Sequence, residues 1–136
     1  MKLKLLQIRE AKGVALGSPD SIVELMKEES RADREAFWVL HLNTKNKVVE
    51  KELVALGTLD SAVIAPREVF RKAVINSASA IIGVHNHPSG DSDPSSEDLM
   101  LFDRLKEAGS ILGINVLDNV ILGTSGAYYS DKEKRG

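Results

Sequence analysis

The sequence contains no cysteine. Disulfides are excluded, as is any zinc finger built on thiolates, and a zinc site here has to use nitrogen and oxygen ligands. There is also no apolar run approaching the roughly 20 residues that a membrane-spanning helix needs. The opening stretch MKLKLLQIREAKG carries two early lysines but no long apolar segment and no small-residue cleavage site. It reads as a first strand rather than a secretory signal. No membrane partner is expected, and cytoplasmic residence is the expectation. A strongly basic balance is missing too. Lysine and arginine number 18 against 20 acidic residues, for a formal net charge of -2, which argues against a broad nucleic-acid footprint. Internal repeats, low-complexity tracts and linkers are absent.

What is there fits a soluble globular protein: 43% hydrophobic and 28% charged residues. A chain of 136 residues reads as one domain, residues 1–136, large enough to bury a core without staples. Residues 3–9 alternate loosely and suggest an edge strand. Ser18-Pro19-Asp20 is a helix start, with Ser as N-cap and Pro at the first helical position. The apolar stripe Ile22, Val23, Leu25 and Met26 carries that helix to about Arg31. Residues 35–42 (EAFWVLHL) read as a buried strand, 43–47 as a turn and 48–57 as its antiparallel partner. Ala62-Val63-Ile64 could extend the sheet. Pro66 opens a second helix with Val69, Phe70, Ala73, Val74 and Ser77 inward. Residues 80–84 (AIIGV) form a central strand. A third helix runs from about Ser95 to Ala108 with Leu99, Phe102, Leu105 and Ala108 inward. Gly113 to Leu117 and Val120 to Leu122 look like two closing strands, and the DKEKRG tail reads as frayed. Alternating strands and helices imply an α/β fold with a mixed sheet flanked by helices.

Only three histidines occur, and two of them, His85 and His87, bracket Asn86. On a strand, positions i and i+2 share a face roughly 6–7 Å apart, so both imidazoles can converge on one ion, while Asn86 points to the other face. Pro88 stops the strand and leaves the pair at its exposed end. Asp98, one turn inside the following helix, is placed to be a third ligand. Three protein ligands plus water is the open arrangement of a catalytic zinc. Each residue also has an ordinary reading. Ser95-x-x-Asp98 is a capping-box-like helix start, and His-Asn-His alone can be a hydrogen-bonded loop. Ser95 can cap the helix while Asp98 turns its carboxylate to a metal. His41 reads as structural or surface, Trp38 as core, Asp91 and Asp93 as turn formers, and Arg67, Arg71 and Lys72 as a solvated basic face.

The string His85-x-His87-Pro88 followed by Ser95-x-x-Asp98 resembles the signature of the JAMM (MPN-type) metalloprotease superfamily. HNHPSGDSDPSSEDLMLFDRL, with APREVFRKAV upstream and LGINVLDNVILG downstream, is similar to its RadC-like branch in particular, over about residues 13–130. The resemblance implies a mixed sheet flanked by helices, related to that of cytidine deaminases. It implies Zn2+ held by His85, His87 and Asp98, oxyanion stabilisation by Ser95, and Glu35 as general base at the start of the EAFWVLHL strand. The activity implied is hydrolysis of peptide or isopeptide bonds, with a peptide or protein substrate. Long members carry an N-terminal helix-hairpin-helix segment. This chain reads as a short form without it, so nucleic acid is a weaker partner expectation. The family's Asp-His near the closing strands is here Asp118-Asn119. Two alternatives stay open: a DNA-repair-associated nucleic-acid-binding protein or metal-dependent nuclease, and an inactive scaffold of the same fold.

Overall fold

The computed structural model describes residues 16–57 and 64–136. The edge strand expected over residues 3–9 lies outside them, as do Ala62 and Val63; Ile64 is buried in a bend, not a strand. Helix α1 spans Pro19–Leu25, with Pro19 at its first turn and a capping box between Ser18 and Ser21. It ends earlier than its apolar stripe suggested, and a separate 3-10 turn covers Glu29–Arg31. Strands β1 (Ala36–Leu42) and β2 (Val48–Leu56) form the expected antiparallel pair. Helix α2 is Pro66–Ile75; Val69, Phe70 and Ala73 are buried, whereas Val74 is exposed. Strand β3 is Ala80–Asn86 and helix α3 is Ser96–Leu112. Gly113 ends α3 at φ 73, a left-handed conformation that costs glycine little.

Two expectations are corrected beyond that point. The closing strands are not 113–117 and 120–122. Asn115–Leu122 is one continuous strand, β4, and the last strand is β5, Tyr128–Ser130. The pairing of β3 with β4 shifts between Ile81 and Ile82, so that Ile81 faces Val116 and Ile82 faces Asp118. That extra residue broke the alternation read from the sequence. Nor is the tail frayed. Asp131–Arg135 forms helix α4. The buried Asp131 carboxylate holds it, accepting from Tyr129 Oη at 2.8 Å and from the Arg135 guanidinium. Arg135 in turn reaches Asp103 on α3 at 2.8 Å.

The sheet order is β2-β1-β3-β4-β5. Every neighbouring pair is antiparallel except β3 and β4. A parallel pair needs a long crossover, and α3 supplies it. The inner strands β1 and β3 are buried along their whole lengths, so both faces must be covered. On one face Trp38, Leu40, Ile82, Val84 and Val120 pack with Ile22 and Met26 beside α1. On the other, Phe37, Val39 and Ile81 pack against Val69, Phe70 and Ala73 of α2 and Leu101 and Leu105 of α3. Each such buried apolar side chain contributes on the order of 1.5–3 kcal/mol. The fold is α/β: among the described residues, a mixed five-stranded sheet with helices on both faces. His41 is not at the surface. It is fully buried, with Nε2 at 3.0 Å from Glu52 and Nδ1 at 3.5 Å from the Asn76 amide. Among the described residues, no helix is long and apolar enough to cross a membrane.

Candidate metal centre

Strand β3 delivers His85 at its end and His87 one residue beyond it. Both project on the α3 side of the sheet, since Ile81 shares their parity and packs there. Their ring centroids are 5.2 Å apart. Asp98 arrives from the first turn of α3. Its Oδ1 lies 3.3 Å from His85 Nε2 and its Oδ2 lies 3.2 Å from His87 Nε2. One ligand atom from each of the three residues falls within 4.8 Å of the others, and together they form a group able to hold a metal ion.

The helix start explains why Asp98 points there. Ser95 Oγ accepts the Asp98 N–H at 3.0 Å, and Asp98 Oδ2 accepts the Ser95 N–H at 2.9 Å. This is the reciprocal capping box, with Asp98 at the third helical position. The capping and ligand readings are therefore compatible in one rotamer. Phe102 stands one further turn along α3, its ring 5.8 Å from His85, and Phe37 stacks on the other side at 6.0 Å. These rings shield His85, which is 1% exposed, whereas His87 is half-buried and Ser95 is exposed. The group thus opens to solvent on the His87 and Ser95 side.

The donor chemistry fits a divalent cation. His85 is buried, yet neither ring nitrogen makes a hydrogen bond. Buried polar atoms without partners are rare and costly, and a cation between Nε2 and the Asp98 carboxylate would satisfy Nε2. His87 Nδ1 donates to the Asp91 carbonyl at 2.8 Å, which fixes the ring and leaves Nε2 as the free lone pair. Asp91 is thus more than a turn former, although its carboxylate does accept the Asp93 N–H at 3.0 Å in a local turn. Burial alone would raise the Asp98 carboxyl. The two imidazoles outweigh it and hold Asp98 well below the usual carboxylate range. His87 is raised, chiefly by Asp98 against the opposing effect of burial, with the Asp91 carbonyl and the Glu35 charge adding to it. Strongly displaced titrations of this kind mark functional sites more often than ordinary surface pairs.

Glu35 immediately precedes β1. Phe37 pairs with His85 in the antiparallel register, and continuing that register sets Glu35 across from His87. The Glu35 carbonyl accepts the Gly57 N–H at 2.8 Å, and its side chain is half-buried. Ser95, Glu35 and the three histidine and aspartate groups therefore share one end of the sheet. His41 belongs to a separate polar cluster around Asn76. Lys72 pairs with Glu50 at 2.6 Å there, so it is not merely a solvated charge. The sequence placed Phe102 on the inner face of its helix but not beside His85, although its spacing of four from Asp98 puts both on one helix face. It also left open the Asp118-Asn119 pair. Asp118 accepts from Ser130 Oγ at 2.6 Å and from the Lys132 N–H at 3.0 Å. The Asn119 side chain is buried without a hydrogen-bond partner and leans over Gly83.

Comparison with known proteins agrees with this geometry. The family model described as "RadC-like JAB domain" matches residues 16–136. A UPF0758 protein of Caldanaerobacter subterraneus is 46% identical over 132 residues, covering 96% of this chain and 56% of that protein. One of Desulforudis audaxviator is 53% identical over 107 residues, covering 78% and 46% respectively. One of Methanosarcina mazei is 42% identical over 120 residues, covering 88% and 52%. The chain spans about half the length of these curated relatives. With the family match covering the whole region in which the sheet, helix α3 and the His85, His87 and Asp98 group are found, this chain belongs to the RadC-like JAB domain family.

Proposed function

We propose that this chain is a zinc-dependent hydrolase acting on peptide or isopeptide bonds of a peptide or protein substrate. The observation that supports this is the convergence of two imidazoles and one carboxylate, with the charge of Glu35, which a continuation of the β1–β3 register sets across from His87, acting on that histidine. His85, His87 and Asp98 would hold the ion; a nitrogen and oxygen donor set of three suits zinc and leaves room for water. Zinc, when bound in such a set, supplies a Lewis acid and lowers the pKa of a coordinated water toward about 7. Glu35 takes the proton from the attacking water and returns it to the leaving nitrogen, so a single carboxylate serves both transfers. Ser95 has its N–H and its Oγ lone pair engaged with Asp98. Its hydroxyl proton is what remains to face a developing oxyanion. Phe37 and Phe102 exclude water from the His85 side, which strengthens each electrostatic contact at the site.

The test is metal analysis followed by turnover. Protein purified in metal-limited buffer should carry about one zinc per chain, and His87→Ala should lower that content. Glu35→Gln should keep the zinc and lose about 10²–10⁴ in rate. A panel of peptide, isopeptide-linked and nucleic-acid substrates identifies the scissile bond. Protein without a divalent ion above background, or full activity in Glu35→Gln, would remove this reading; cleavage of nucleic acid alone would replace it with a nuclease.

A further inference from the structure

We infer that Asn86, the residue between the two histidines, is a positioning residue that fixes Glu35 against the metal group. This rests on the reading of Glu35 as the base. Asn86 is completely buried and sits on the opposite face of β3 from His85 and His87. Its side chain therefore projects away from the metal group. It grips backbone instead. Oδ1 accepts the Ala36 N–H at 2.9 Å, and Nδ2 donates to the Arg34 carbonyl at 2.9 Å and to the Ala32 carbonyl at 3.3 Å. Both protons of the amide and one of its lone pairs are thereby used. Arg34 and Ala36 lie immediately before and immediately after Glu35, and Ala32 lies three residues before it.

The need for such a clasp follows from the topology. His85 is fixed by ladder bonds on both sides, to β1 and to β4. Glu35 lies one residue before β1 begins, after the bend at Asp33 and Arg34. A carboxylate at a strand mouth swings with its backbone, and misplacing a reacting group by about 1 Å can cost about 10²-fold in rate. Because side chains alternate along a strand, three consecutive residues of β3 and its extension divide the work. His85 and His87 face the metal group, and Asn86 reaches through the sheet to the segment that carries the base. The spacing between base and ligands is thus set by one strand. An aliphatic residue at position 86 would fill the volume but leave the Arg34 carbonyl and the Ala36 N–H without their partner.

The test uses Co2+ as the probe, with 13C and 15N labelling. In the wild type, one Co2+ should bind and displace the Glu35 carboxyl carbon resonance by a paramagnetic shift. In Asn86→Ala, Co2+ stoichiometry should be kept. The Glu35 shift should fall by more than half or spread into several signals, and the Ala36 amide should exchange at least about tenfold faster. With a substrate that the wild type cleaves, kcat should fall about 10²-fold with KM within about twofold, and Asn86→Ala should add no further loss to Glu35→Gln. Where Asn86→Ala does not fold, Asn86→Asp keeps an acceptor for Ala36 but offers no donor to Arg34, and it carries the same measurement. An unchanged Glu35 shift in the variant, with the wild-type shift present, overturns the role of Asn86 alone. A wild-type protein in which Co2+ leaves the Glu35 carboxyl carbon unshifted overturns the reading of Glu35 itself, and with it this one.

Discussion

Ser95 and Asp98 hold each other at the start of α3 through two reciprocal bonds of 3.0 and 2.9 Å, and the same Asp98 oxygen that accepts the Ser95 N–H lies 3.2 Å from His87 Nε2. The cap therefore aims the candidate ligand. A carboxylate at the third helical position would otherwise sample several rotamers, and the capping bond selects the one that meets both imidazoles.

That dual use separates two variants. Asp98→Asn retains an oxygen to accept the Ser95 N–H but loses the charge. Metal affinity, read by chelator competition, should fall by more than the 10- to 100-fold that loss of an outer-shell partner typically costs. Ser95→Ala removes the cap and should lower apo-protein stability by about 0.5–2 kcal/mol in urea denaturation. It should weaken metal binding less than Asp98→Asn does. Equal metal loss in both variants would show that Asp98 is oriented by Ser95 alone.

Glu29 and Lys51 form an ion pair of 2.8 Å in which both side chains are almost wholly buried. It ties the 3-10 turn to β2. Lys51→Met strands the Glu29 carboxylate in the interior and should cost about 3–5 kcal/mol. The double variant with Glu29→Leu should recover most of that loss, because two desolvated charges are replaced by apolar volume. Denaturant midpoints of the two single variants and the double variant decide this.

The α4 anchor gives the molecule two pH edges. Burial opposes ionisation of Asp131, but its bonds from Arg135 and Tyr129 prevail and hold its carboxyl below the ordinary value. Its stabilisation is complete above the unfolded carboxylate pKa of about 3.9 and is lost as pH falls through the lower folded value. Tyr129 is pushed up to about 12, by burial first and then by Asp131. Its share is complete below the unfolded value of about 10 and disappears as pH rises toward the folded one. Asp131→Asn should flatten the acid edge of stability against pH, and Tyr129→Phe the alkaline edge. Unchanged profiles would show that α4 contributes nothing to global stability.

Gly83 faces the same side of β3 as His85. A Cβ there would stand 2.5 Å from Asn119 Oδ1 and 3.0 Å from Phe37 Cζ. Phe37 also stacks on His85, so the strain is transmitted to a candidate metal ligand. Gly83→Ala should destabilise by about 1–3 kcal/mol and weaken metal binding. Pairing it with Asn119→Ala, which clears the 2.5 Å contact, should restore much of the stability. Calorimetric melting of the single and double variants checks both statements.

Much of this arrangement is local and so could be read from residue order. Proline at the first helical turn, serine before it, and apolar runs bounded by polar turns located the start of α1, and α2, β1, β2, β3 and α3 to within a few residues. The His85 and His87 pair could be read as a shared face because a strand alternates with period two. Asp98 could be read from its place in the first turn of the next helix, whereas Glu35 came into view by resemblance, since nothing in linear spacing says that a strand 50 residues upstream lies beside β3.

Where linear patterning went astray, the cause was an interaction with a distant element. The single strand β4 looked like two because a bulge opposite Ile81 and Ile82 displaces its alternation. The charged tail became a helix because Asp131 is buried beneath it and Arg135 reaches Asp103 across the chain. Sequence by itself determined the kinds of element and the donor atoms available to a metal, since periodicity and side-chain chemistry are carried by neighbouring residues. Only the tertiary structure decided the distances between those donors, the register that faces Glu35 to His87, and the amide that clasps the segment between Ala32 and Ala36. Those depend on strand pairing across long loops, and pairing is chosen by the packing of the whole sheet.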